Sequence, residues 1–527
     1  MPEEGVHGAG ADHRLMSPKA AISVANGVFG AILGTAALVF IAQNMGPNVL
    51  GVMGFAMASV GVLSFLSDFG VGSVHANHIR SGENLGKCVG AYATIRIVLL
   101  VVFTAVTFAL IELWRRGQLG GAMPSNETVL DSMMGFLIYY ILLGISQIAT
   151  HTFDAQGAVA KVHVPVLLEL VVRVSFIIYI ASSSHRSSPD GPALLSASYA
   201  AGIIASTILV ALLMSQVKIS RPDRMILKKY IRSLAPVFAV SAMIILDLYL
   251  DKVLVGNFWG YHELGLYFGV QKMAIFVSVF SLSVATLILP SVTTYFWRRD
   301  VAASWDVVNQ AERYVSLIVI PTAAFYLTFG QQIVTVFLSN QFSSAVQTMD
   351  VLVISSTIVA LVLPLRSAIV GVGKHGTLAM IGFGGFAIQL VAMIILVPDR
   401  VNGIKMLGLK GFGAASSLLI LSIYYFFVLR YMAWKTAKIV PNSRSFKHLV
   451  SAIVMVGVMY TVDWVFIPTI DGIALMALAV VGMIAYAVTA YLMGELEASD
   501  YRYFKSMLNP QDTLQYVVHE LLGKRGQ

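Results

Sequence analysis

The chain is poor in everything that marks a soluble enzyme. Of 527 residues only one is cysteine, Cys88, so no intrachain disulfide can form, and no group of Cys and His has metal-ligand spacing. Charged residues make up 12%, where a soluble domain carries about a quarter. No Walker loop and no nucleophile–base pair stands out, and no segment is long enough for a separate soluble catalytic domain. Neither an enzyme nor an ATP-driven pump is expected, and no cofactor or metal. A cleavable signal peptide is not expected either. The first fourteen residues contain Glu3, Glu4 and Asp12, and the apolar run after Lys19 is too long for an h-region.

What is abundant is hydrocarbon: 57% of residues are hydrophobic and the mean hydropathy is +0.79. Too little polar material remains to face water, so lipid must solvate much of the surface. A spanning helix needs about 20 mostly apolar residues. Fourteen segments qualify, at 20–43, 49–74, 88–111, 130–151, 162–182, 192–216, 233–255, 264–290, 312–337, 348–371, 376–398, 409–432, 448–467 and 473–494. We number these spans 1 to 14. The expected fold is an all-α polytopic membrane protein.

Positive loops stay in the cytoplasm. With the N-terminus inside, 23 of the 35 Lys and Arg fall on inner segments and 6 on outer ones, so both termini are expected in the cytoplasm. The basic residues sit in short strips beside helix ends, such as Lys218 to Arg232, where anionic headgroups attract them. Anchors of this kind argue against nucleic acid as a partner. Asn126-Glu127-Thr128 in the longest outer loop is a glycosylation sequon. Beyond Gly494 a polar tail carries Tyr503, Phe504, Met507 and Leu508 at helical spacing, which suits the inner membrane surface.

An internal repeat divides the chain. Gly46, Leu50 and Gly51 return as Gly260, Leu264 and Gly265 at a constant offset of 214 residues, each set joining an odd span to the next even one. Span 1 therefore corresponds to span 7 and span 2 to span 8, in the same direction. Two such bundles facing each other are a transporter plan with the substrate site between them. The expected organisation is a tail (1–19), a six-helix lobe (20–216), a basic linker (217–232), a second lobe (233–432), two further helices (433–494) and an inner tail (495–527).

Ionisable groups inside spans mark a pathway or an internal pair. Six are basic (Arg96, Arg173, Lys252, Lys272, Arg313 and Arg366), and the acids are Asp68, Glu169, Asp247 and Asp251. A net positive interior suits a phosphate or pyrophosphate headgroup, to which Arg donates in a bidentate way and Lys as a mobile point charge. Each has a structural alternative. Glu169 and Arg173 lie four apart on one helix face and can neutralise each other. Asp251 and Lys252 can snorkel to the interface, and Arg313 and Arg366 suit the inner boundary. Asp247 can bind Na⁺ or a proton and couple its gradient to transport, or can hold Lys252 or Lys272 in place. Asp68-Phe69-Gly70 matches the kinase metal triplet only as letters. In context Asp68 closes span 2, and Gly70 and Gly72 loosen the helix. Gly30 and Gly34 form a GxxxG that ordinarily packs helices. Pro236, Pro290, Pro321 and Pro364 supply kinks.

The stretch Gly46-Pro47-Asn48-Val49-Leu50-Gly51, followed by Asp68-Phe69-Gly70-Val71-Gly72, resembles the start of polysaccharide-export flippases. These belong to the multidrug/oligosaccharidyl-lipid/polysaccharide exporter superfamily. Asp251-Lys252-Val253-Leu254-Val255-Gly256 with Gly260 and Leu264-Gly265-Leu266-Tyr267 resembles the family's second-half signature. Leu289-Pro290, Gly371-Val372-Gly373-Lys374 and Leu407 to Ala415 also fit. The resemblance implies two pseudo-symmetric six-helix lobes plus two C-terminal helices, with spans 1, 2, 7 and 8 lining a cationic cavity. The implied cargo is a polyprenyl- or dolichyl-(pyro)phosphate-linked glycan, flipped by alternating access, with membrane lipids and glycan-assembly enzymes as partners. It ranks Asp68, Asp247, Asp251, Lys252 and Lys272 ahead of Arg96 and Arg173 as site residues. No position matches a defined coupling-ion site. Two rivals are a cation-coupled multidrug exporter of the same superfamily and a membrane glycosyltransferase or polymerase. The first typically calls for twelve spans and a cavity richer in acids and aromatics, the second for a large outer loop with catalytic groups.

Overall fold

The computed structural model describes residues 18–117, 127–183, 188–215, 217–279, 281, 292, 295, 300–437, 444–466 and 471–496. The sequon at Asn126, the Leu289-Pro290 motif and the tail beyond residue 496 lie outside them.

Among the described residues, ten helices are long and apolar enough to cross a membrane, or up to twelve if each of two bent pairs forms one span. Two elements are longer than any single crossing. One helix runs Pro18–Leu63 and another Arg224–Ile275, each interrupted by one non-helical residue. Those residues are Gly46 (φ 77°, ψ −179°) and Gly260 (φ 80°, ψ −177°), 214 apart and almost identical in backbone. Side chains are disfavoured at such φ values, which is why both copies hold glycine. Pro47 then opens the next helix, where its missing N–H costs nothing. At about 1.5 Å per residue the 46-residue helix would reach about 69 Å if straight, twice a hydrocarbon core.

Contacts between the halves show the chain reversing at Gly260. A Cβ on Gly51 would lie 1.8 Å from the Tyr261 carbonyl oxygen, one on Gly256 2.7 Å from the Phe55 ring, and one on Gly61 2.8 Å from the Tyr249 ring. Span 2 thus runs antiparallel to span 7. Past the break the order inverts, since Gly54 meets Phe268 and Gly51 meets Gly265. Span 2 is parallel to span 8.

The remaining spans follow the expected order. Leu85–Arg115, Glu127–Ala155, Val159–Ser182 and Gly191–Met214 complete the first half. Val301–Thr328, Val346–Gly371, His375–Leu396 and Lys410–Ala437 continue the second, and Arg444–Phe466 and Gly472–Leu492 follow. A hairpin between spans 11 and 12 pairs Arg400 with Lys405 around Asn402-Gly403, both at positive φ. That dipeptide is a strong short-range turn signal, unused in a reading that sought only spans.

The basic linker also holds structure. From Arg224 to Ala235 it is a helix, which bends into span 7. Ile226, Tyr230 and Leu234 bury one face against Val71, Val74, Tyr92 and Ile95 of the first half. Tyr230 hydrogen-bonds His75 at 2.9 Å, and Lys229 pairs with Glu83 at 2.8 Å. The Lys229 hydrogen bond holds the Glu83 carboxyl below the usual glutamate range.

Candidate functional site

One cavity of about 300 Å³ joins the halves. Span 1 contributes Gly30, Gly34 and Thr35, and span 2 Met53. Span 5 adds Arg173, span 6 Tyr199, and span 8 Phe268, Lys272 and Phe276. Gly30 and Gly34 were expected to pack helices. Instead, a Cβ on Gly34 would meet nothing within 4 Å and one on Gly30 only Leu170 at 4.0 Å, so their missing side chains leave room in the cavity.

Two of the four expected basic site residues therefore meet. The Arg173 guanidinium lies 4.4 Å from the centre of the Tyr199 ring and pairs with Glu169 (Nε to Oε1, 3.0 Å). Arg173 thus both pairs with Glu169 and lines the cavity. Lys272 is exposed to the cavity with its ammonium 5.4 Å from the Phe268 ring centre. Among the described residues it has no acidic partner. Aromatic faces attract cations but leave their hydrogen-bonding protons free for an anion.

The other candidates lie in helix contacts. Arg96, 2% exposed, donates to the carbonyls of Ser67 and Gly144, to Asp68 (3.2 Å) and to Gln147. It clamps the break after span 2, where Phe69 (φ 46°) and Gly70 (φ 71°) are left-handed. Arg96 and Asp68 thus form a structural tie. Asp251 and Lys252 do not snorkel. Both are buried and paired at 2.9 Å, and Asp251 also accepts from Tyr267 (2.7 Å) and Gln271 (2.8 Å). Asp247 lies beside Gln389 of span 11 rather than facing the cavity. Among the described residues span 7 adds none to the lining of this cavity, whereas spans 5 and 6 do. Arg313 is buried against Glu495, and Arg366 is exposed.

Spans 2 and 7 meet at both ends as well as midway. Phe55 packs on Gly256 at one end, beside the Gly51–Tyr261 contact past the break. At the other, Phe69 stacks on Phe238 with ring centres 4.2 Å apart, and a Cβ on Gly70 would lie 2.7 Å from the Ser241 hydroxyl. The sequence motifs singled out Gly30 and Gly34 but not Tyr199. Tyr199 is nine residues from the nearest charge in sequence, Asp190, and carries no local signal of its partner Arg173.

Comparison with known proteins agrees with this architecture. The family model described as polysaccharide biosynthesis protein matches residues 192–347. Over 332 residues the chain is 22% identical to the protein named "Probable low-salt glycan biosynthesis flippase Agl15" of Haloferax volcanii. That match covers 60% of this chain and 64% of the relative. A structure of the lipid II flippase MurJ in an inward closed conformation is similar with a TM-score of 0.69 at 14% identity, covering 90% of this chain and 98% of that one. An inward-facing multidrug resistance MATE family transporter of the MOP superfamily gives 0.57 at 16% identity, covering 81% and 97%. The fold is shared with these lipid II flippase and multidrug transporter structures, and the chain is a multi-pass membrane protein.

Proposed function

We propose that this chain is a flippase in the cell membrane, carrying a polyprenyl- or dolichyl-(pyro)phosphate-linked glycan from the inner to the outer leaflet by alternating access. The observation that carries the reading is the meeting of Arg173 and Lys272, one from each half, in a single cavity of about 300 Å³. Lys272 has no acid partner among the described residues, so its ammonium protons are free to take an anionic ligand in the cavity. An anionic lipid headgroup is such a ligand. Ile275, Phe276 and Val279 continue the wall in apolar form, which suits the lipid next to its phosphate.

With both termini cytoplasmic, the Gly46 and Gly260 end faces outward and the Phe69–Phe238 contact lies inward. Spans 2 and 7 touching at both ends correspond to a closed state. Transport then requires each contact to release in turn, and cargo shifts the balance only by binding the states unequally. Asp247, beside Gln389 and away from the cavity, is the carboxylate available for H⁺ or Na⁺ coupling. The name of the Haloferax relative supports a glycan cargo for this chain.

The test reconstitutes the chain in liposomes with fluorescent lipid-linked glycan and follows leaflet transfer. Lys272→Ala and Arg173→Ala should each lower it by about tenfold or more, the effect of removing one charged hydrogen bond. Undiminished transfer in both variants refutes the basic-cavity mechanism. Movement of organic cations without movement of lipid glycan selects the multidrug exporter.

A further inference from the structure

Tyrosines form an unbroken path from the cavity to span 7. Tyr199, beneath Arg173, meets Tyr139 of span 4 edge to face, with ring centres 5.7 Å apart. Tyr139 meets Tyr140 in the same way at 5.3 Å. The Tyr140 hydroxyl then donates to the Tyr249 hydroxyl on span 7 at 2.7 Å. This bond crosses from one half to the other, at a level between the Gly51 and Phe69 contacts. It exists because span 2 leaves a slot for it. A Cβ on Gly61 would lie 2.6 Å from the Tyr140 hydroxyl and 2.8 Å from the Tyr249 ring.

The arrangement goes beyond what a closed bundle needs. Tyr140 is 6% exposed, so separating the halves there strands its hydroxyl among apolar neighbours. Edge-to-face rings in a close-packed interior have little freedom to shift singly. At the other end of the path Arg173 has two anionic options, Glu169 and any ligand entering the cavity. Turning toward a ligand changes its seat on Tyr199.

We propose that Tyr140 and Tyr249 form a latch holding the two halves together at mid-membrane, and that the stack through Tyr139 and Tyr199 ties its strength to the partner Arg173 takes. Both are positioning residues, since neither lines the cavity. The geometry of the latch is independent of the cargo; its use in transport rests on the flippase reading.

Paired spin labels test it in the full chain. Asn77→Cys and Lys374→Cys are exposed positions, one in each half, and buried Cys88 is replaced by Ala. Dipolar distances in lipid nanodiscs give the ratio of closed to open conformers. Tyr140→Phe and Tyr249→Phe should each shift that ratio by about threefold to tenfold, as expected for one buried hydrogen bond. The double variant should shift it no further, because both changes remove the same bond. If either variant fails to fold, Gly61→Ala, which pushes the two rings apart from span 2, should give the same shift. Unchanged distances in the folded variants, or additive shifts, overturn the latch.

Undecaprenyl phosphate added to the nanodiscs should shift the parent chain toward open and leave Arg173→Ala unmoved. A response that survives in Arg173→Ala overturns the link to Arg173. If the phenylalanine variants open but the lipid phosphate changes nothing in any chain, the latch stands, its dependence on Arg173 falls, and the flippase reading loses its support.

Discussion

Gly51 and Gly265 occupy reciprocal positions. A Cβ on Gly51 would lie 2.9 Å from the Gly265 nitrogen, and a Cβ on Gly265 would lie 3.0 Å from the Gly51 nitrogen. Each would also come within 1.8 Å of a backbone carbonyl, that of Tyr261 for one and Pro47 for the other, again 214 residues apart. The two helix breaks are thus related by a pseudo-twofold axis running between these glycines. Gly51→Ala and Gly265→Ala should weaken closure at this end equally. Overpacking costs about 1–3 kcal/mol, and the Leu50→Cys thiol, buried in the closed form, should react about tenfold faster with a membrane-impermeant maleimide. A large difference between the two variants would contradict the symmetry.

On the proposed function, the Glu169–Arg173 pair sets how readily the cavity accepts an anion. Glu169 competes for the guanidinium that a headgroup needs, at 3.0 Å. Glu169→Gln should therefore tighten binding of undecaprenyl phosphate by about fivefold, the scale of a partly exposed ion pair near 1 kcal/mol. Arg173→Lys should weaken it, because a single ammonium cannot reproduce bidentate donation. Equilibrium dialysis in detergent measures both. Weaker binding in Glu169→Gln would mean that the carboxylate orients Arg173 rather than restraining it.

Much of this architecture was legible in the sequence because hydrophobic length and the Gly-Leu-Gly repeat are local signals. The repeat also located both helix breaks, since a residue at φ near 80° is restricted to glycine in practice. Of the site, Arg173 and Lys272 were identified as charges costly to bury, and the cavity contains both. Which charges are satisfied internally was not readable. Arg96 and Lys272 look alike in sequence, each a lone cation in an apolar run. Only packing shows that Arg96 meets carbonyls from Ser67 and Gly144 while Lys272 faces open space. Asp251 and Lys252 are adjacent in sequence, a spacing that does not ordinarily pair on a helix face. Lys252 folds back to Asp251 and also reaches the Leu248 carbonyl at 2.9 Å.

That contrast predicts opposite phenotypes for two similar substitutions. Arg96→Met removes a buried cation that ties the Phe69–Gly70 break, leaving the Asp68 carboxylate and two carbonyls without it. Removing one side of such a tie costs about 3–5 kcal/mol. The variant should melt well below the parent in a thermal shift assay, while its folded fraction binds undecaprenyl phosphate unchanged. Lys272→Met should do the reverse, with stability kept or raised and binding lost.

A second charged knot holds the last two spans to the second half. Glu495, fully buried just after the helix ending at Leu492, faces Arg313 of span 9 (3.5 Å) and Lys447 (2.8 Å) and His448 (3.7 Å) of span 13. Arg313 also donates to the Glu495 carbonyl, and His448 hydrogen-bonds Ser316 at 2.8 Å. One carboxylate thus balances several positive or proton-bearing groups, so the members are not equivalent. Glu495→Gln removes the negative charge that Arg313, Lys447 and His448 share, a loss of about 3–5 kcal/mol. Arg313→Ala leaves Glu495 with Lys447 and should cost less. Heating each variant in detergent and recovering the folded fraction by size exclusion should rank them in that order. Because the cavity is built from spans 1, 2, 5, 6 and 8, the recovered Glu495→Gln protein should bind undecaprenyl phosphate like the parent. Equal melting of Glu495→Gln and the parent would show that apolar packing alone retains spans 13 and 14.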